Sequence, residues 1–376
     1  MPTMTAGEHS GSRSRTYLLT GGTGLVGRNL LARLTQRRDA RVLALVRPRS
    51  QQRLQEVLEQ LPAGDRVRPL LGDVREALLG IEDPEALGID RIVHAAAVYD
   101  LLADHSAVWE ANVTGTANVV ALANRLGVEG LHHVSTIGVA GRHRGRFREH
   151  DLECGQEIDN PYFRSKWYGE RIVRARSRVL TRIYRPGVVV GHSQTGEMTK
   201  IDGAYFAFAG LRWLSRFPTW LPLVGPRGGP ANVVPADWVA AAIDGLLDLP
   251  ADRFGSGATF HLVPERPGSA GDALNAMARA AGAPRLRLQV SLRVTRPLGR
   301  FLRPVPGMAR VRDWLWSAAG IPPRALRWRD FDTAFDQENL HAALNGSLPC
   351  PPFDAYVDRL YGFWLRNLSG TEAAWN

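Results

Sequence analysis

The chain has 376 residues, 44% hydrophobic and 22% charged, enough apolar material for a large buried core and too few charges for global disorder. Two cysteines, Cys154 and Cys350, exclude a disulfide framework or a thiolate metal cluster, and no run of eighteen uncharged apolar residues is present to form a membrane span. The formal charge of +10 speaks to partners rather than to fold, and by itself admits nucleic acid, an anionic membrane surface or a phosphorylated substrate.

Residues 1–15 lack an apolar run and read as a flexible tail rather than a signal peptide, so the expected compartment is the cytoplasm. Residues 16–20 (TYLLT) read as a buried strand, followed by a glycine cluster and a helical pattern through Leu30, Leu31 and Leu34. Strand-like runs recur at 42–46, 67–71, 91–95, 131–135, 179–184 and 188–190, with helical patterns at 53–61, 112–123 and 162–175. This alternation predicts an α/β fold, a Rossmann-type doubly wound parallel sheet over 16–191. Its continuous apolar strands suit a sheet covered on both faces. After Gly191 the regularity breaks. Aromatic- and arginine-rich segments at 203–229 and 291–329 flank a helical 238–247 and a strand-like 259–263, and 353–368 reads as a closing helix. Residues 192–376 are therefore expected to build mainly a smaller substrate-binding lobe, with some segments returning to the core.

The stretch Gly21-Gly22-Thr23-Gly24-Leu25-Val26-Gly27 has GxxGxxG spacing between a strand and a helix. Glycine allows the tight turn and close approach to a pyrophosphate, and the helix start offers unpaired N–H groups to the anion. A site for NAD usually ends its second strand with an acid; here Val46-Arg47-Pro48-Arg49 offers Arg47 to a 2′-phosphate, with Arg28 beside the last glycine as a second donor, which points to NADP. A solvated arginine after a strand is the competing reading. Asp73, followed by Val74, stands after the third strand to meet the adenine amino group, or to cap a following helix. Ala95, Ala96 and Ala97 are small enough for backbone to pass close to a flat ligand. Asn112 either caps a helix or organises water near the chemistry.

Tyr162-Phe163-Arg164-Ser165-Lys166 has YxxxK spacing, which puts phenol and ammonium on one helix face. The cation favours phenolate, so Tyr162 fits a general acid in carbonyl reduction. Only two lysines occur, Lys166 and Lys200, so Lys166 stands out in a chain that otherwise uses arginine. Ser135 and Thr136 end the fifth strand; one hydroxyl is placed to donate to a developing alkoxide, with simple strand-end capping as the alternative.

TGGTGLVG at 20–27, LLGD at 70–73, HAAAVYD at 94–100, NVTGT at 112–116, HHVSTIGVAG at 132–141, PYFRSK at 161–166 and YRPGVVVG at 184–191, in this order, resemble the extended short-chain dehydrogenase/reductase family over most of the chain. HSQTGEM at 192–198, IDGAYFAF at 201–208, GIPP at 320–323 and FWLRNL at 363–368 are similar to the N-terminal reductase half of bacterial fatty acyl reductases, in the thioester-reductase branch. The resemblance implies Thr136 as the catalytic hydroxyl with Ser135 its neighbour, and Tyr162 and Lys166 as the paired groups. It puts Arg185, Pro186, Gly187 and Val188 on the nicotinamide side, and Arg28 and Arg47 on the 2′-phosphate. The implied activity is NADPH-dependent reduction of a lipid-like carbonyl: a fatty acyl thioester, on coenzyme A or a carrier protein, to aldehyde, or a fatty aldehyde to alcohol. Such proteins can carry a second reductase domain; a single unit is expected of this stretch, which leaves open whether it takes an acyl thioester, an aldehyde or another carbonyl. Ile137 and Gly138 stand where the family's nucleotide-sugar dehydratases have an Asp-Glu pair, which counts against dehydration. A hydroxysteroid-like or nucleotide-sugar dehydrogenase/epimerase, and a non-catalytic dinucleotide-sensing interaction protein, are the alternatives.

Between Arg285 and Arg329 eleven arginines stand against one acid, Asp313. Peripheral docking on anionic lipid, recognition of coenzyme A phosphates and a solvated basic face all fit this run. No nucleic-acid motif accompanies it, so nucleic acid is not expected. Phe206, Phe208, Leu211, Trp213, Leu214, Phe217, Trp220 and Leu221 are expected to pack the lobe or line an acyl tunnel. An oligomer is compatible with the sequence.

Overall fold

A computed structural model describes residues 14–99, 105–199, 205–290 and 333–367. The strands in chain order are β1 (Arg15–Thr20), β2 (Ala40–Val46), β3 (Val67–Leu71), β4 (Arg91–His94), β5 (Gly130–Val134), β6 (Gly145–Phe147), β7 (Thr181–Pro186), β8 (Val188–Val190), β9 (Leu223–Pro226), β10 (Val233–Pro235), β11 (Ala258–Leu262), β12 (Leu286–Val290) and β13 (Thr333–Phe335). The helices are α1 (Leu25–Leu34), α2 (Gln51–Glu59), α3 (His105–Trp109), α4 (Gly115–Leu126), α5 (Pro161–Arg176), α6 (Phe206–Leu214), α7 (Ala236–Leu246), α8 (Ala270–Ala280), α9 (Glu338–Leu344) and α10 (Val357–Asn367).

Seven strands form one parallel sheet in the order β11-β7-β5-β4-β1-β2-β3. The chain leaves β1 in one direction toward β3 and returns on the other side at β4. A crevice therefore opens at the carboxyl ends of β1 and β4, where such sheets bind ligands. The apolar strands follow from cover on both faces. Leu30, Leu31 and Leu34 of α1, Leu54 and Val57 of α2 and Val239, Ile243 and Leu246 of α7 bury one face. Val119, Val120 and Leu122 of α4 with Val173 of α5 bury the other. A third apolar cluster joins Val190 to Phe208 and Leu211 of α6, Met277 of α8 and Leu360 and Trp364 of α10, forming the smaller lobe. Residues of α7, β11 and α9 return to the large sheet.

Several expectations need correction. Asn112 does not start a helix: α3 runs through a π-helical turn, Glu110–Thr114, into α4, and Asn112 sits inside that turn. The 188–190 strand does not extend the large sheet but pairs with β10 in a separate two-stranded sheet. The closing segment is a 3₁₀ turn, Phe353–Ala355, followed by α10, broken where Tyr356 adopts a non-helical conformation. The arginine-rich run at 291–329, Lys200 and most of the expected tail lie outside the described residues. Among the described residues no helix is long and apolar enough to cross a membrane.

Candidate active site

The glycine turn joins β1 to α1 at the crevice. Gly21 has φ +82°, and a Cβ there would stand 2.6 Å from the backbone nitrogen of Ala96. A Cβ on Gly27 would lie 2.0 Å from the Gly21 carbonyl oxygen. A side chain is thus excluded at Gly21 and at Gly27, and at Gly21 the chain after β1 approaches the Ala95–Ala96 backbone closely. Gly24 caps α1 with no side chain, its N–H donates to the Gly21 carbonyl at 3.0 Å, and Gly24 and Thr23 lie toward the surface. The first-turn amides of Leu25, Val26 and Gly27 have no carbonyl one turn earlier to meet, which suits an anion. Thr20, unremarked in the sequence, locks the two strands: its Oγ1 lies 2.8 Å from His94 Nδ1 and accepts from Ala96 N at 3.2 Å. Ala95 and Ala97 follow from the same anchored backbone. This cradle fits a dinucleotide pyrophosphate.

At the far end of the crevice Arg47 is half-buried after β2, under the field of Arg49, Asp73 and Arg75. Burial, with help from the two neighbouring arginines, lowers its pKa. Asp73 does not cap a helix. Its carboxylate accepts from Arg75 N at 3.0 Å and from Arg75 Nη2 at 2.7 Å. Burial pushes the Asp73 pKa up, but the bonds from Arg75 and the charges of Arg75 and Arg47 outweigh it and leave the group below its ordinary value. Val74 packs on Gly115 of α4, and its carbonyl accepts from Asn118 Nδ2 at 2.9 Å. Arg28 is ion-paired with Glu197, in the loop after β8.

The YxxxK residues enter on the first turns of α5. Asn160 caps that helix, accepting from Tyr162 N at 2.9 Å and Phe163 N at 3.2 Å, and Pro161 follows as the first helical residue. The Tyr162 ring meets Tyr99 edge to face at 4.7 Å, so Tyr99 joins the site although the sequence singled out only the run containing it. Lys166 is buried and its Nζ donates to the Val134 carbonyl at 2.5 Å. Burial pulls its pKa down to about 8, against the opposing pull of Glu170.

Asn112 and Arg185 both have their polar atoms engaged within the protein. The Asn112 amide closes on Val98, accepting from its N–H at 2.8 Å and donating to its carbonyl at 3.1 Å, and also donates to Ser165 Oγ at 2.9 Å. It pins the chain after β4 to α5, beside Lys166. The Arg185 guanidinium is fully buried, donating to Glu170 and to the carbonyls of Glu149 and Asp151, and lying 3.1 Å from His261 Nε2. A buried guanidinium needs such partners. Pro186 ends β7, Gly187 N donates to the Leu262 carbonyl at 2.9 Å, and Val188 is left 44% exposed at the strand edge.

Ser135 and Thr136 also separate. The Ser135 hydroxyl donates to Glu170 Oε2 at 2.9 Å. Thr136 Oγ1 accepts from Gly138 N at 3.1 Å, and among the described residues its own proton has no acceptor.

A parallel sheet with its glycine turn at the switch point is the architecture of the dinucleotide-binding oxidoreductases of the extended short-chain dehydrogenase/reductase superfamily. Residues 19–243 match the family described as Male sterility protein, and the chain belongs to that family. It is 31% identical over 272 residues to a linear gramicidin synthase polypeptide of Brevibacillus parabrevis, covering 67% of this chain and 5% of that protein. It is 27% identical over 288 residues to a carboxylic acid reductase of Segniliparus rugosus, covering 66% of this chain and 24% of that one. The chain thus spans a small part of the curated relatives it matches. Among solved structures, the terminal R domain from the myxalamid PKS-NRPS biosynthetic pathway superposes with a TM-score of 0.75 at 29% identity, over 95% of this chain and 92% of that domain.

Proposed function

We propose that this chain reduces an acyl thioester to an aldehyde with NADPH, the acyl group arriving on a carrier protein or coenzyme A. The observation that carries the reading is that Lys166, one turn along α5 from Tyr162, donates to the Val134 carbonyl two residues before Thr136, at the carboxyl end of β5, while the glycine turn leaves the carboxyl end of β1 in the same parallel sheet. The likeness to an R domain and to a carboxylic acid reductase supports a thioester over a sugar or a steroid.

Gly21, Thr23, Gly24, Leu25, Val26, Gly27 and Ala95–Ala97 would hold the pyrophosphate, and Arg47, with Arg28, the 2′-phosphate. Asp73 and Val74 would border the adenine, and Lys166 with Pro186, Gly187 and Val188 the nicotinamide end. When bound, the reduced nicotinamide supplies a hydride to the carbonyl carbon. Thr136 donates a hydrogen bond to the carbonyl oxygen as negative charge develops there. Tyr162 gives that oxygen its proton, and the Lys166 ammonium stabilises the phenolate left behind. The hemithioacetal so formed loses its hydroxyl proton, re-forms the carbonyl and expels the thiolate, leaving the aldehyde. A further hydride and proton would carry the aldehyde to the alcohol.

The test incubates the purified chain with NADPH or NADH and, separately, acyl-coenzyme A, acyl-carrier-protein thioesters, fatty aldehydes, ketosteroids and nucleotide sugars, with products identified by mass spectrometry. Aldehyde from a thioester, with NADPH preferred, is expected. Turnover confined to sugars or steroids, or none with any carbonyl, overturns the reading.

A further inference from the structure

Two consecutive residues at the end of β5 are gripped by α5, and the third is Thr136. The Val134 carbonyl accepts from Lys166 Nζ at 2.5 Å, and the Ser135 hydroxyl donates to Glu170 Oε2 at 2.9 Å. Lys166 and Glu170 are four residues apart on the helix, so the two grips lie one turn apart on one face. Glu170 is fully buried yet well supplied with donors. Arg185 Nε reaches Oε2 at 3.1 Å and Arg185 Nη2 reaches Oε1 at 2.5 Å, while Arg174 Nη2 reaches Oε1 at 2.9 Å. Burial favours the neutral acid, but Arg185, Arg174 and the Ser135 hydroxyl overcome it and hold the carboxylate ionised.

The charges around Lys166 are few. Tyr162 and Glu170 share its helix; His94 on β4 and His133 on β5 face it and are kept neutral by burial. Glu170 in turn faces Arg174 on α5, Arg185 on β7 and His261 on β11. The anion that acts on Lys166 is Glu170.

We infer that Glu170 is a positioning residue for carbonyl reduction, holding the Thr136 hydroxyl in place through Ser135 and keeping Lys166 an ammonium through its negative charge. The inference rests on the reductase reading above. It gives Ser135 a supporting role and makes Thr136 the hydroxyl that touches substrate. A Glu170 that only fastened β7 to α5 through Arg185 would leave kcat unchanged in Ser135→Ala, which keeps that ion pair.

The chain's having only two lysines makes this directly measurable. Lysine labelled with ¹⁵N at Nζ gives two side-chain signals, and K200R assigns the one from Lys166. In Glu170→Gln the Lys166 titration should move about one pH unit lower, as expected on removing a nearby opposite charge. The alkaline limb of the kcat/KM profile should move with it. Ser135→Ala keeps the ion pair with Arg185; it should lower kcat about tenfold, the cost of a loosened donor geometry, with the KM for NADPH and the Lys166 titration unchanged. An unmoved Lys166 titration in Glu170→Gln, or full kcat in Ser135→Ala, overturns the inference. Should the Gln variant not fold, the kcat of Ser135→Ala decides. If the wild-type chain reduces no carbonyl, the reductase reading fails, and the titration still shows whether Glu170 controls the charge of Lys166.

Discussion

Arg28 on the first turns of α1 and Glu197 in the loop after β8 form an ion pair that ties the glycine turn to the smaller lobe. The loop that carries Glu197 is held in place: Glu197 N donates to Thr195 Oγ1 at 3.2 Å, His192 N donates to the Glu197 main-chain carbonyl at 2.9 Å, and Arg359 of α10 donates to the Ser193 carbonyl in the same loop. Arg28 is therefore neutralised from across the crevice by a group that does not belong to the nucleotide fold.

That pairing competes with any phosphate Arg28 would serve. Glu197→Gln should free the guanidinium and tighten NADPH. With side chains 18% and 40% exposed, the gain is that of a partly solvated pair, about two- to fivefold in Kd. Fluorescence titration with NADPH and NADH measures it. A gain for NADPH alone places Arg28 on the 2′-phosphate, an equal gain for both places it on the pyrophosphate, and weaker binding of both contradicts the competition.

Under the proposed reading Arg47 meets the 2′-phosphate: it is half-buried, and among the described residues it forms no ion pair with a carboxylate, only the field of Asp73 reaching it. Arg47→Ala should lower the preference for NADPH over NADH by about tenfold or more, the loss of a charge-assisted contact worth ~1.5–3 kcal/mol. The ratio of kcat/KM with the two cofactors is the measurement. An unchanged ratio would assign the selectivity to Arg49 and Arg75 instead.

Tyr162→Phe keeps the ring against Tyr99 and removes only its hydroxyl. The rate of carbonyl reduction should fall ~10²–10⁴-fold, the usual worth of a positioned general acid. The affinity for NADPH and the melting temperature should stay near wild type. Full activity would remove Tyr162 from the proton-transfer role.

The sheet also carries an acid liability. Burial pushes the pKa of His94, His132 and His261 down to about 3, with Lys166, Arg91 and Arg185 respectively adding to the effect. All three are neutral in the fold, while in the unfolded chain they take up protons below their ordinary value of 6.5. Stability is thus intact above that value and is lost as pH falls from 6.5 toward 3, by up to ~1.4 kcal/mol per pH unit for each histidine. Thermal melts between pH 7 and about 5 should show a steep fall. His132→Gln, which can still bond the Tyr184 hydroxyl now 2.8 Å from His132 Nδ1, should flatten it. A melting temperature flat over this range would contradict the linkage.

Much of the site is legible in the sequence because its signals are local. A strand, a glycine turn and a helix occupy neighbouring residues, and Tyr162 and Lys166 share one turn of α5. Asn112 escapes such a reading because a π turn continuous with its flanking helices leaves no cap or breaker in the sequence. Arg185 escapes it because a motif places a residue on a strand without saying which way its side chain turns. Glu170, Glu197, Arg75 and Thr20 carry no signal of their own.

The sequence alone determined the layered parallel fold, the cradle for a dinucleotide and the Tyr-Lys pair, since backbone periodicity and turn chemistry act between near neighbours. Only the tertiary structure decided which hydroxyl of Ser135 and Thr136 is already engaged in donating to a carboxylate, and that Arg28 and Arg185 are consumed by carboxylates. Those outcomes depend on burial and on partners tens to hundreds of residues away, as with Arg28 and Glu197, 169 positions apart. In a low-dielectric interior such distant pairings set both the charge of a side chain and the direction in which it points.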